Sequence, residues 1–369
     1  LFSLFGFEVR LDASWIIIAV LVTWSLAAGF FPNFYEGLGA TTYWVMGVAG
    51  AIGLFASIVL HEFGHSVVAR GYGLPMNGIT LFIFGGVAEM NDEPPSPKAE
   101  FWVAVAGPIV SIILAAAGWL LHLQFGNLIP DPVGGVVYYM AFINTALVVF
   151  NLIPAFPLDG GRVLRSAIWA KTGSLARASK VTSNIGGGFG LVLIGLGVLS
   201  IIGGGFVGGI WYVLLGLFLR GAADQGYKQV VLRKELSGES IERFTNYHPI
   251  TVEKDTTVQE LVDDYLLQHH YKMFPVVDGE RLVGAVRLDQ VKEIPQAERR
   301  ERTVGEVAQP PDERNSIDAG AEAEKAFEKM HRARGSRMMV VRDGKLVGIL
   351  SLKDLQDFMA TKLELSEAA

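Results

Sequence analysis

The sequence predicts a polytopic α-helical membrane domain of about six transmembrane helices with a membrane-associated β-hairpin, followed by a soluble α/β module built from a repeat. Three observations carry this. The 369-residue chain is 51% hydrophobic with a mean hydropathy of +0.37, high for a protein surrounded by water. Its charge is unevenly spread, since only nine of the 31 Lys and Arg side chains precede residue 221. Two stretches of the charged tail match each other at a constant offset. The partition that follows is a membrane domain over 1–220, a linker over 221–237 and a soluble repeat module over 238–369.

Six apolar segments appear in order, at 14–31, 44–68, 101–123, 136–152, 183–202 and 206–219. They are read against a hydrocarbon core of about 30 Å, for which the last segment is short. The final two are rich in glycine, which lets membrane helices approach closely. Loops after the first, third and fifth segments contain no Lys or Arg. By the positive-inside bias both termini and the tail are cytoplasmic, in a multi-pass protein of a cell membrane. The first apolar run lacks a basic leader and a small-residue cleavage site, so no cleavable signal peptide is expected, and the sequence opens on Leu1. Residues 78–90 (GITLFIFGGVAEM) are apolar but too short to cross. Their β-branched and aromatic content reads as a β-hairpin or re-entrant loop dipping into the membrane, with an ordinary cytoplasmic hairpin as the alternative.

Inside the second segment, at His61-Glu62-Phe63-Gly64-His65, two histidines stand four residues apart. On a helix they share a face, so they offer two zinc ligands with Glu62 beside them as a general base. Catalytic zinc takes three protein ligands and leaves a position for water. The third is expected from Asp159, in the run from Asn151 to Arg162 (NLIPAFPLDGGR), where Pro154 and Pro157 end the fourth helix and Gly160-Gly161 allow a sharp turn. A carboxylate at the edge of a membrane segment needs a partner, which zinc on His61 and His65 would supply. Asn151 either bonds substrate backbone or satisfies the broken helix end. The plainer readings are buried hydrogen-bonded histidines, a structural helix carboxylate at Glu62 and a helix cap at Asp159. Asn144 and Ser111 read as packing or helix–helix hydrogen bonds. The chain has no cysteine, which excludes thiolate ligands and disulfides. Its net charge of −6 and the mixed signs of the tail give no nucleic-acid footprint.

The pairing of HEFGH in one membrane helix with NLIPAFPLDGG near a later one resembles the site-2 protease family of intramembrane zinc metalloproteases. The resemblance spans residues 1–220 and is specific through the two motifs jointly. It implies metal ligation by His61, His65 and Asp159, catalysis by Glu62 and a substrate contact at Asn151. Ala106-Gly107-Pro108 in the third segment also looks family-like. The PDZ module frequent in that family is absent, because the loop over 70–100 is too short to contain one.

In the tail, Val276-Val277 followed by Leu282-Val283-Gly284 recurs as Val340-Val341 followed by Leu346-Val347-Gly348. Each copy carries an Asp-Gly turn, Asp278-Gly279 and Asp343-Gly344, between two strands. Helical patterns precede the hairpins at 258–268 and 319–331, and shorter ones follow at 288–291 and 352–359. This resembles a tandem pair of CBS (cystathionine-β-synthase-type) domains, which implies an adenine nucleotide such as ATP between the repeats and a homodimer through them. Ser351 and Asp354 occupy the positions that meet phosphate and ribose in such domains. The first repeat has Arg287 and Gln290 there, with Asp289 displaced by one. The tail therefore binds one nucleotide, or none and serves dimerisation.

The function expected is zinc-dependent endoproteolysis of a transmembrane segment of a membrane-anchored protein, in the manner of regulated intramembrane proteolysis, gated by nucleotide at the CBS pair. The partners are the lipid bilayer and a substrate helix that must unwind, because a helical amide is shielded by its own hydrogen bonds. By resemblance the location is a prokaryotic plasma membrane. The rival is a CBS-regulated ion transporter or channel using His61, Glu62, His65 and Asp159 as ion sites, and a third reading is an inactive scaffold. A general base between two zinc ligands has no purpose in transport.

Overall fold

A helix that is apolar on all sides is stable only where something other than water surrounds it, and six helices here are of that kind. In the computed structural model, which describes residues 2–4, 7–74, 76–82, 85–90, 93–126, 128–333 and 335–367, they are α1 (Ser14–Phe34), α2 (Ala40–Gly71), α3 (Pro97–Phe125), α4 (Asp131–Asn151), α6 (Leu175–Ile202) and α7 (Phe206–Leu236). Their most apolar 18-residue windows have mean hydropathies of 1.6 to 2.3. Large side chains such as Ile52, Leu123 and Val207 point outward along them, as lipid-facing residues do. The chain is a multi-pass membrane protein. The short amphipathic helix α5 (Asp159–Thr172) sits between α4 and α6 in sequence and packs on both α3 and α6.

The expected hairpin is present as β3 (Met76–Phe82) and β4 (Gly85–Met90), with residues 83–84 outside the described set. Two strands that the sequence reading lacked join it. They are β1 (Phe2–Leu4) and β2 (Phe7–Leu11), too short to show a clear alternation before the first apolar run. The sheet order is β1-β2-β3-β4, with β2 and β3 parallel and the other pairs antiparallel. This leaves β4 as an edge strand, and it packs against α2.

The last apolar segment and the expected linker after it form one helix. The final segment, short by apolarity alone, is the first half of a 31-residue helix. Residues 221–237, read as a linker, are helical through Leu236. The segment contains no proline, and Asp224 and Lys228 pair at i,i+4 with 2.8 Å between charges, so nothing in it ends the helix where the apolar run stops. The chain divides into two compact units, Leu1–Val230 and Val231–Ala369.

The second unit is the repeat. Each half places a short strand parallel to a hairpin: β5 (Val252–Glu253) beside β6 (Met273–Asp278) and β7 (Arg281–Arg287), then β8 (Ser316–Asp318) beside β9 (Arg337–Arg342) and β10 (Lys345–Ser351). The leading strands β5 and β8, of two and three residues, fell below sequence detection. In the second hairpin Asp343 and Gly344 take positive φ as a two-residue turn requires. In the first, Asp278 still belongs to β6, and Gly279 supplies the positive φ. Met273, Leu282 and Ala285 of the first half share a core with Met339 and Ile349 of the second. Helix starts are capped locally. Thr257 donates its backbone N–H and hydroxyl to Glu260, which holds that carboxyl below its ordinary value.

Candidate active site

The HEFGH motif lies on α2, and His61 and His65 are buried at 5% and 4% exposure. Asp159 opens α5 and is 8% exposed. The turn between α4 and α5 carries it back to the histidines across 98 residues of sequence. Nε2 of His61 stands 3.1 Å from Oδ2 of Asp159 and 3.2 Å from Nε2 of His65, and the latter is 3.3 Å from Oδ1 of Asp159. Two zinc–nitrogen bonds at a tetrahedral angle set their donor atoms about 3.3 Å apart. The three side chains can hold a metal ion together.

The rest of each ring is committed elsewhere. Nδ1 of His65 lies 2.6 Å from the carbonyl oxygen of Val103, which only accepts, so this nitrogen donates and Nε2 presents its lone pair to the site. Nδ1 of His61 bonds the Ser111 hydroxyl at 2.9 Å. Outward bonds of this kind fix ring orientation and tautomer in metal-binding histidines. Both come from α3, where Val103, Gly107 and Ser111 recur every four residues along one face. Gly107 leaves the room between them. A Cβ there would fall 2.3 Å from Nε2 of His65 and 2.6 Å from Nε2 of His61. With three electron-rich atoms converging over a cleared surface, the donor set fits a divalent cation, and hard-to-borderline ligands of this type suit zinc.

Glu62, Asn151 and Arg162 join the three donors in lining a cavity of about 380 Å³ whose other walls are apolar, among them Ile58, Phe82 and Leu215. Strand β4 passes close by, since a Cβ on Gly86 would come within 2.9 Å of Cγ of Glu62. The structure thus brings together every residue expected at the site, His61, Glu62, His65, Asn151 and Asp159. Ser111, expected as packing or a helix–helix hydrogen bond, makes such a bond, to His61; Val103 acts through its backbone carbonyl and carries no side-chain signal in the sequence. The four-residue spacing with Gly107 was the signal available.

Ser351 and Asp354 line a separate cavity of about 410 Å³ within the second unit, with Asn246, Tyr271, Arg337 and Lys353 on its walls. The Ser351 hydroxyl donates to Asp354 at 2.5 Å and accepts from its backbone N–H, so this pair also caps the following helix. Arg337 lies over the Tyr271 ring at 4.0 Å. In the first repeat Arg287 pairs with Asp289 at 3.0 Å, and Gln290 bonds the Val307 carbonyl.

A six-span helical domain that gathers two histidines and an aspartate beside a glutamate, followed by a repeated α/β module, defines a membrane-embedded protein with a metal-capable hydrolytic site. Comparison with known proteins gives the family. The model of Peptidase family M50 matches residues 49–134 and 122–194, and that of the CBS domain matches 241–295 and 304–361. Rip3 of Mycobacterium tuberculosis, which bears the name of a zinc metalloprotease, is 33% identical over 356 residues, covering 95% of this chain and 90% of that protein. Zinc metalloprotease MJ0392 of Methanocaldococcus jannaschii is 31% identical over 368 residues, covering 100% and 97%. The solved site-2 protease from the same archaeon is 32% identical and covers 61% of this chain and 93% of its own, with a TM-score of 0.43. The chain belongs to peptidase family M50, the site-2 protease family, and carries a tandem CBS pair. It is a site-2 protease-type enzyme, which sets aside the transporter reading.

Proposed function

We propose that this protein is a zinc-dependent endopeptidase that cuts a transmembrane segment of a membrane-anchored protein. His61, His65 and Asp159 hold the metal and Glu62 is the catalytic base. The observation that carries this reading is the convergence of three buried side chains with 3.1 to 3.3 Å between their facing atoms, and with Nδ1 of each histidine bonded away from the site. Zinc bound there supplies Lewis acidity toward a water molecule and a peptide carbonyl. Glu62 removes a proton from the attacking water and delivers it to the leaving nitrogen, so that the carbonyl carbon gains hydroxyl and the amine gains hydrogen. Asn151, at the cavity wall, donates its amide to substrate backbone. The edge of β4 takes the unwound substrate as an added strand, which satisfies amides that no longer have helical partners. Both termini and the tail lie in the cytoplasm, from the distribution of Lys and Arg, and the membrane is a prokaryotic plasma membrane, by family resemblance.

In the tail, the cavity beside Ser351 and Asp354 falls within the roughly 300–1,000 Å³ range of ligand sites. It binds an adenine nucleotide, with Lys353 and Arg337 toward phosphate and Asp354 toward ribose, and its occupancy adjusts the cleavage rate. The repeats also support a homodimer.

Metal removal tests the central reading. Dialysis against a chelator should abolish cleavage of a tagged single-span substrate in detergent, and zinc should restore it. Asp159→Asn should lose most bound zinc and all measurable cleavage while remaining folded. Cleavage that persists without metal would sink the proposal.

A further inference from the structure

The metal-site reading accounts for the histidines through α3 but leaves open what holds Asp159, whose helix α5 comes from a different part of the chain. One side chain of α5 is placed to do so. Arg165, two turns after Asp159, is 4% exposed, and Glu100 in the first turn of α3 is fully buried at 0%. Nε of Arg165 lies 2.5 Å from Oε1 of Glu100, and Nη2 meets the same oxygen. Nη2 also reaches Glu93, in the segment after β4, at 3.3 Å. The guanidinium carbon stands 5.2 Å from the centre of the Phe156 ring, in the turn that leads into Asp159.

Glu100 belongs to the same stripe of α3 as Val103, Gly107 and Ser111, the residues that orient and clear the two histidines. One guanidinium therefore grips the helix that carries the third donor, the turn before it, and the helix that fixes the first two. A pair this buried is a poor source of net stability, because desolvation offsets much of its attraction. What it does supply is a fixed register between α5 and α3, and an error of one ångström there would take Asp159 out of reach of the histidine nitrogens.

We propose that Arg165, through Glu100, is a positioning residue for Asp159, setting metal affinity without touching metal or substrate. The proposal rests on the metal-site reading above. The test uses full-length protein in detergent and measures zinc affinity by chelator competition alongside Tm. Arg165→Lys keeps the charge but loses the planar fork, and Glu100→Gln is nearly isosteric; each should weaken zinc about tenfold or more, the scale of lost support behind a metal ligand. In an Asp159→Asn background, read with a weaker chelator, the same changes should alter affinity by less than about twofold. A merely structural pair would lower Tm equally in both backgrounds and leave zinc affinity unmoved. Unmoved affinity in the wild-type background, or equal weakening in both, would overturn the proposal. A wild type that binds no zinc would instead overturn the metal reading, so the two failures are distinguishable. Should Arg165→Lys fail to fold, Glu100→Gln carries the same cycle.

Discussion

The site in the membrane domain and the cavity in the tail use similar numbers of polar groups in opposite ways. His61, His65 and Asp159 are buried, and Nδ1 of each histidine is tied down by Ser111 or Val103, so the donors are assembled before any ligand arrives. Ser351 and Asp354 are partly or fully exposed and bonded chiefly to each other, capping a helix. A nucleotide would have to compete with that cap, whereas a cation in the membrane domain would meet donor groups already gathered within 3.3 Å of one another. The difference teaches where sensitivity lies: small changes at the metal site should have large effects, and comparable changes at the cleft modest ones. The two repeats repeat the lesson within the tail. In the first, Arg287 pairs with Asp289 and Gln290 reaches Val307, so the equivalent positions are occupied by their own neighbours.

Outside the three donors and Glu62, the largest expected effect is at Gly107. Gly107→Ala drives a methyl between the two histidines, at an overpacking cost of about 1–3 kcal/mol. Zinc measured by atomic absorption should fall well below one per chain, and retention of full zinc with full activity would contradict the cradle. Next comes the edge strand. Because N–H groups alternate in direction along β4, one of Val87→Pro and Ala88→Pro removes an outward donor and the other a ladder donor. The outward one should cut cleavage at least tenfold while leaving zinc in place, and unchanged cleavage in both would refute strand addition. The smallest effect is expected in the tail. Added ATP should change the cleavage rate of the full chain a few-fold, Asp354→Ala should abolish that response, and Gln290→Ala should leave it intact. An equal response in all three would remove the cleft from any regulatory role and weaken the contrast between repeats.

Much of this was legible because its signals are periodic. Histidines four apart on an apolar run, and an aspartate between prolines and glycines, are visible without a structure. The repeat declared itself through matched Val-Val and Leu-Val-Gly strings. What escaped was either too short or depended on distant packing. Strands β1, β2, β5 and β8 are five residues or fewer and gain their partners from elsewhere in the chain. The extent of α7 was hidden because apolarity ends before helicity does. Ser111 reads from sequence as packing or a helix–helix hydrogen bond without a named partner, and Glu100 falls in the loop before the third apolar segment; only the approach of α2 and α5 to α3 supplies the partners.

The most direct test of the central claim separates metal binding from proton transfer. Glu62→Gln should retain one zinc per chain, since Glu62 is not among the three donors, while cleavage of a single-span substrate falls by about 10²–10⁴-fold. Loss of zinc along with cleavage would make Glu62 a ligand or a structural carboxylate. Undiminished cleavage by the zinc-loaded variant would contradict the account outright.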